Sequence, residues 1–314
     1  MLFCSVDETY SNIRIPGLVI TPSGVLLGVC ECRKTMHDWA QIDILIRRST
    51  DGGETWQDAH RIPGEGQTLN NPVLTVHGDR VWLHYCENYR RVFVSESTDD
   101  GVTFSTAREI TDAVTDGGFF YNAVAVGPGH GIAYGDTVVL PVWVAQNETV
   151  PLAHRPSFIT TLYTNDAGAT WKLGEALDCS DLVNPSECAL TIWQGNVISS
   201  IRNENDVHRR AFAMSSTGYS NWTKPEHKDN MPDPICQGSM ISDGDELWHI
   251  NCANSEGRTE LTLKHSRDGF MTWEAQLIDP IGGYSDITVD AENIYILYEK
   301  DFGDKGLFFT RIKR

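Results

Sequence analysis

The 314-residue chain offers one obvious set of acids. Asp51 sits in Ser49-Thr50-Asp51-Gly52-Gly53-Glu54-Thr55-Trp56, a tight polar turn closed by a large aromatic residue. Residues 97–104, 164–171 and 266–273 repeat the form with Asp99, Asp166 and Asp268, and residues 215–222 are a decayed copy without the aspartate. A carboxylate on a turn is the residue type that acid–base chemistry uses. The repetition argues otherwise. An aspartate that recurs with the same neighbours is part of a scaffold. Its side chain bonds backbone N–H groups just after it, and glycine supplies φ > 0. A second cluster, Cys30-Glu31-Cys32, puts two thiols on one face of a strand, but it lacks metal-site spacing and a second pair nearby.

The turns imply the elements that carry them. Their closing aromatics lie at positions 56, 104, 171, 222 and 273, a period of about 50 residues. Between them run short apolar or alternating segments, such as 25–29, 42–46, 81–85, 138–144, 197–201 and 294–298, bounded by Gly, Pro, Asn and Asp. Long amphipathic helices are missing from the pattern. Many short strands at this period predict an all-β propeller with four strands per blade, the turns joining the last two strands of a blade at its periphery. Five turns plus a tail from 284 to 314 predict six blades. The last blade is expected to borrow a strand from residues 13–20. No linker divides the chain, so residues 1–314 read as one domain.

Bulk properties narrow the function classes. A formal net charge of −18 opposes nucleic-acid binding, which needs a basic face. It leaves room for a small anionic ligand, because a local arginine cluster can reverse the field inside one pocket. No apolar run reaches the roughly 20 residues that span a bilayer, so no membrane insertion is expected. The start of the chain has no basic region followed by an apolar core, so no signal peptide is expected. Eight cysteines are present, several in apolar strand-like runs where a free thiol acts as a small hydrophobe. Reduced thiols and a cytoplasmic location are the expectation. The sequons at Asn147 and Asn221 are too common by chance to change it.

Near the start stands Arg14-Ile15-Pro16. With the repeated turns, it strongly resembles the exo-α-sialidase (neuraminidase) family. Those enzymes are six-bladed propellers with an Arg-Ile-Pro motif and several such turns, called Asp-boxes. The resemblance covers nearly the whole chain. It implies three arginines that hold the substrate carboxylate, since guanidinium forks match carboxylate geometry. Arg14 is the first. Arg202 in Ser200-Ile201-Arg202-Asn203 looks like the second, and Arg258, before a Leu-rich strand leading into an Asp-box, looks like the third.

The same resemblance implies a tyrosine nucleophile, the known sialidase departure from paired-carboxylate glycosidases. A carboxylate nucleophile would be repelled by the substrate's own carboxylate, whereas a neutral tyrosine with a glutamate base is not. Tyr284 in Gly283-Tyr284-Ser285-Asp286 and Glu187 in Ser186-Glu187-Cys188 match these positions. Asp38, nine residues before Arg47-Arg48, resembles the acid, with Asp43 as competitor inside the following strand. Glu31 looks like the acid that orients the first arginine, and Glu299 resembles a second brace for Arg14. Arg33 resembles an additional sugar-binding arginine, and Asn71 a residue near the N-acyl and C4 region. Residues 127–132 resemble a family turn at the pocket rim, with His130 as a turn residue.

Two departures stand out: Ile13 where an aromatic residue is frequent, and the Asp-box without its aspartate. Loops 35–41 and 147–157 carry no motif. The expectation is a retaining exo-α-sialidase acting on sialylated glycans with no metal or organic cofactor. The alternatives are a trans-sialidase, a hydrolase of a related 2-keto sugar acid, and a non-catalytic sialoglycan-binding propeller.

Overall fold

The computed structural model describes residues 3–4, 9–269, 271–300 and 306–314. Phe270, in the fourth Asp-box, and the side chain of Cys4 lie outside the described set. Six antiparallel sheets follow one another along the chain. The first blade comprises Asn12–Ile20, Leu26–Arg33, Ile42–Ser49 and His60–Ile62, in that order from the axis outward. The second begins with Leu69–His77, and the short strand Gly129–His130 pairs with it in parallel. The third is built on Thr137–Ala145 and Ser157–Thr164, the fourth begins with Cys188–Trp193, the fifth with Ser239–Asp243 and the sixth with Ser285–Val289.

The sixth blade takes its outermost strand from the start of the chain. Phe3–Cys4 pairs with Gly306–Lys313, Phe3 opposite Leu307 and Cys4 opposite Gly306. This corrects the expectation for residues 13–20. They form the innermost strand of the first blade, paired along Leu26–Arg33. Alternation in 13–20 signals a buried strand but carries no information about which sheet accepts it.

The core lies between blades. Leu18, Leu26, Cys30 and Cys32 of the first blade pack against Tyr295, Leu297 and Leu307 of the sixth. Val73, Trp82 and Val94 of the second pack against Val124, Leu140, Val142 and Leu162 of the third. Burying each such large side chain stabilises the fold by roughly 1.5–3 kcal/mol.

The Asp-boxes sit where the sequence pattern puts them, between the third and fourth strands. Ser49 Oγ accepts the Gly53 N–H at 2.9 Å, and Asp51 accepts the N–H and hydroxyl of Thr55 at 2.9 and 2.5 Å. These bonds hold the Asp51 carboxyl down to about 2. The glycines have a second reason beyond φ. A Cβ on Gly53 (φ +86°) would lie 2.3 Å from Phe309 of the sixth blade. One on Gly168 (φ +84°) in the third blade would lie 2.4 Å from Trp82 of the second. Each of these turns presses on the preceding blade. The decayed copy in the fourth blade does the same by other means. Thr217 Oγ1 accepts the Ser220 N–H at 3.0 Å in place of an aspartate, and Tyr219 stacks on Tyr163 of the third blade at 4.1 Å.

Candidate active site

In an antiparallel blade, the inner strand starts, and the second strand ends, at the same end of the sheet. Arg33, Arg202 and Glu299 lie at or just past the ends of second strands. Glu187 and Tyr284 immediately precede inner strands, and Asp38 and Arg258 occupy loops between second and third strands. Side chains scattered along the chain therefore converge at one end of the propeller. Arg14, Arg33, Asp38, Asn71, Glu187, Arg202, Arg258 and Tyr284 line one cavity of about 270 Å³. Glu31 and Glu299, both buried, stand behind it.

Two residues reach the cavity through the same backbone device. Ile15 and Asn71 each precede a proline on an inner strand, with φ of +59° and +53°. The strand register shifts at both places, between Arg14 and Gly17 and between Asn70 and Val73. Positive φ is strained for any side chain and most for a β-branched one. A buried carboxylate rewards each: Glu299 accepts the Ile15 N–H at 3.0 Å and Glu31 accepts the Asn71 N–H at 2.7 Å.

Glu299 also grips Arg14 with two bonds of 3.1 Å. Burial alone would weaken the charge of Arg14, but Glu299 outweighs it and raises its pKa. Glu31 does not have the expected role. Its carboxylate receives Arg33 Nε at 2.8 Å and the Asn71 N–H rather than serving as the brace of Arg14. Residues two apart on a strand share a face, so Glu31 and Arg33 are natural partners. Burial pushes the Glu31 carboxyl up, against the pull of Arg33.

Tyr284 is the centre of the arrangement. Its hydroxyl donates to Glu187, with the two carboxylate oxygens at 2.7 and 2.8 Å, and accepts from Arg202 Nη1 at 2.8 Å. Arg202 Nη1 also bonds Glu187. The Arg14 and Arg258 guanidinium carbons lie 5.0 and 5.2 Å from the Tyr284 ring centroid. Burial raises the Tyr284 pKa well above its ordinary value, Glu187 adds to this, and the three arginines oppose it. The phenol is held in its neutral form, and Glu187 is in hydrogen-bond contact with it. Three guanidinium groups around this hydroxyl suit a substrate anion.

Asp38 Oδ1 accepts from Arg33 Nη1 at 2.7 Å. Burial would raise the Asp38 carboxyl, but Arg33 wins and holds it below the ordinary range. Asp43 is buried elsewhere, bonded by Tyr10 at 2.5 Å and Arg61 at 2.8 Å, and does not line the cavity. Residues 127–132 are not at the rim. Gly129–His130 is an axial strand, and His130 Nδ1 bonds Asp286 at 2.7 Å. Asp286 also accepts from the Leu18 N–H at 2.7 Å and from Ser239 at 2.6 Å, tying three further inner strands together beneath the site.

Several lining residues escape sequence reasoning: Met36, Tyr89, Trp143, His154, Arg155, Asn184, Ser186 and Glu204 among them. Trp39, Tyr89, Trp143 and His154 form one aromatic wall beside Asp38, with His154 stacked on Trp39 at 4.5 Å. They come from loops and strands of three blades and share no local pattern.

The BNR repeat-like domain family matches residues 40–296. A sialidase of Bacteroides fragilis is 30% identical over 98% of this chain, and one of Micromonospora viridifaciens is 26% identical over 94%. The chain spans 63% and 51% of the length of those two proteins. Among solved structures, the Hadza microbial sialidase Hz136 superposes with a TM-score of 0.83 at 24% identity, over 98% of this chain and 66% of that one. Six blades, the recurring Asp-boxes and the Arg-Ile-Pro motif opening onto the axial cavity agree with these matches: the chain belongs to the BNR repeat-like domain family and is similar over nearly all its length to sialidases.

Proposed function

We propose that this propeller is a retaining exo-α-sialidase that releases terminal sialic acid from sialylated glycans. The observation that carries the reading is the contact of Tyr284, Glu187 and Arg202 inside a ring of arginines, with Asp38 across the same cavity. Arg14, Arg202 and Arg258 hold the substrate carboxylate. Arg33 and Asn71 face the sugar from the opposite wall. Tyr284 attacks the anomeric carbon while Glu187 takes its proton. Asp38 gives a proton to the leaving oxygen and then takes one from water, and Glu187 returns its proton to Tyr284 as sialic acid leaves. The fixed guanidinium groups gain most where charge develops, in a site from which substrate displaces water.

The test is release of an aryl aglycone from an α-sialoside by the wild type and by Tyr284→Phe, with the first-formed sugar followed by NMR. Initial α-sialic acid, formed by the wild type and not by the variant, is the expected result. Initial β product overturns retention. A sialyl group passed to sugar or back onto itself instead of water makes the protein a trans-sialidase. No release at any mildly acidic to neutral pH overturns the enzyme reading.

A further inference from the structure

His154 stands beside the acid and has no role in the chemistry above. It sits in the loop between Thr137–Ala145 and Ser157–Thr164 and lines the cavity. Three rings from three blades fix it: Trp39 stacked at 4.5 Å, Trp143 edge-on at 5.3 Å and Tyr89 tilted at 5.4 Å. Its Nδ1 is 3.9 Å from Asp38 Oδ2. Its Nε2 is buried and has no hydrogen-bond partner among the described residues. Asp38 itself poses a chemical problem. The group that must deliver a proton is gripped at Oδ1 by Arg33, which favours the proton-free carboxylate. Its other oxygen is the one nearer His154.

We infer that His154 is the proton partner of Asp38: it keeps one proton on the Asp38–His154 pair, supplies it through Asp38 to the leaving oxygen, and takes it back when Asp38 activates water. The inference rests on the proposed function. In the first half-reaction the glycosidic C–O bond breaks and a bond from Tyr284 to the anomeric carbon forms. The phenolic proton goes to Glu187, and the one proton of the pair passes from His154 through Asp38 to the leaving oxygen, which leaves Asp38 a carboxylate and His154 neutral. In the second, water bonds the anomeric carbon and the Tyr284 bond breaks. Glu187 then restores the phenolic proton, and the proton from water returns through Asp38 to His154. The 3.9 Å separation exceeds a hydrogen bond. Contacts between catalytic groups are often long in unliganded sites and tighten with substrate. His154 acts through Asp38 and is a positioning residue.

The surroundings set the pH range. Burial lowers the His154 pKa, and Arg202 and Arg33 add to this, while Asp38 and Glu187 oppose it, with a net value below that of an ordinary histidine. Arg155 next in the chain is paired with Glu204 at 3.1 Å. Burial holds the Tyr89 hydroxyl far above its ordinary value, so it stays neutral. The pair therefore gives up its proton at a lower pH than a free histidine would.

The test compares an α-sialyl galactoside with an aryl α-sialoside, in the wild type and His154→Phe. An aryl oxide leaves with little help from an acid, whereas a sugar alkoxide needs the proton. The expected loss in kcat/KM is about tenfold or more greater on the galactoside, since general acid catalysis is worth roughly 10²–10⁴-fold. The alkaline fall in kcat/KM also moves to lower pH, because Asp38 alone then sets it. Equal losses on both substrates with an unmoved pH profile overturn the inference, as does a wild-type profile in His154→Asn, which cannot exchange protons. If melting shows His154→Phe unfolded, His154→Gln carries the same two readings. A wild type that cleaves neither substrate fails the proposed function instead.

Discussion

Asp51 and Glu187 carry the same functional group in opposite settings. Asp51 is exposed and satisfied by Thr55, four residues away. Glu187 is buried and satisfied by Arg202 and by Tyr284, 97 residues away. The first needs only its own turn and recurs in blade after blade. The second needs the closed ring. The Asp-box carboxylates depend on their own turn, while two buried cavity carboxylates depend on partners from another blade, Glu187 on Tyr284 and Glu299 on Arg14. Removing a buried partner leaves an uncompensated charge, which costs far more than loss of an exposed contact.

Substitutions can break that contrast in order of size. Tyr284→Phe removes the proposed nucleophile and keeps the ring packing, so kcat on an α-sialoside should fall about 10³-fold or more while the melting temperature stays near that of the wild type. Arg258→Lys keeps the charge and loses the fork, and kcat/KM should fall about 10²-fold, read from initial rates. Glu299→Ala removes both bonds of this carboxylate to Arg14, and urea unfolding should show a loss of about 3 kcal/mol, the low end for broken buried pairs because Arg14 opens onto the cavity. Burial would raise the Glu299 carboxyl, but Arg14 holds it below 4.5. Its stabilisation is therefore present above the unfolded value and lost as pH falls through the lower folded value, so wild type and variant should converge in acid. Asp99→Ala, in an Asp-box, should change kcat/KM by less than about twofold and lower the melting temperature only slightly. An Asp99 variant as inactive as Tyr284→Phe would collapse the distinction.

Local features were readable from the chain and relations between distant segments were not. The turn at 49–56 announces itself because the bonds of Ser49 and Asp51 that define it are internal. The reason for its glycine does not, because Phe309 arrives from the sixth blade. Arg14, Arg202, Arg258, Glu187 and Tyr284 were found through short motifs, and the propeller brings them to one cavity. The resemblance pairs Glu31 with Arg14, whereas in the structure it bonds Arg33, its same-face neighbour by strand periodicity. His154, Tyr89 and Trp143 were invisible, since their contact arises where three blades meet and no spacing encodes it. The acceptor of Phe3–Cys4 was equally hidden, two residues being too few for a pattern.

That pairing of Phe3–Cys4 with Gly306–Lys313 bears on the order of events during synthesis. Of the propeller's own strands, the earliest made is among the last to find its place. Blades one to five can assemble behind the ribosome, each pressed on its predecessor, yet the ring cannot close until Gly306–Lys313 has emerged. Tyr284 and Glu299 belong to the closing segment, so a nascent chain already holding Arg14, Asp38 and Glu187 lacks the hydroxyl that bonds Glu187 and the carboxylate that grips Arg14. The ring and its reaction centre are completed together.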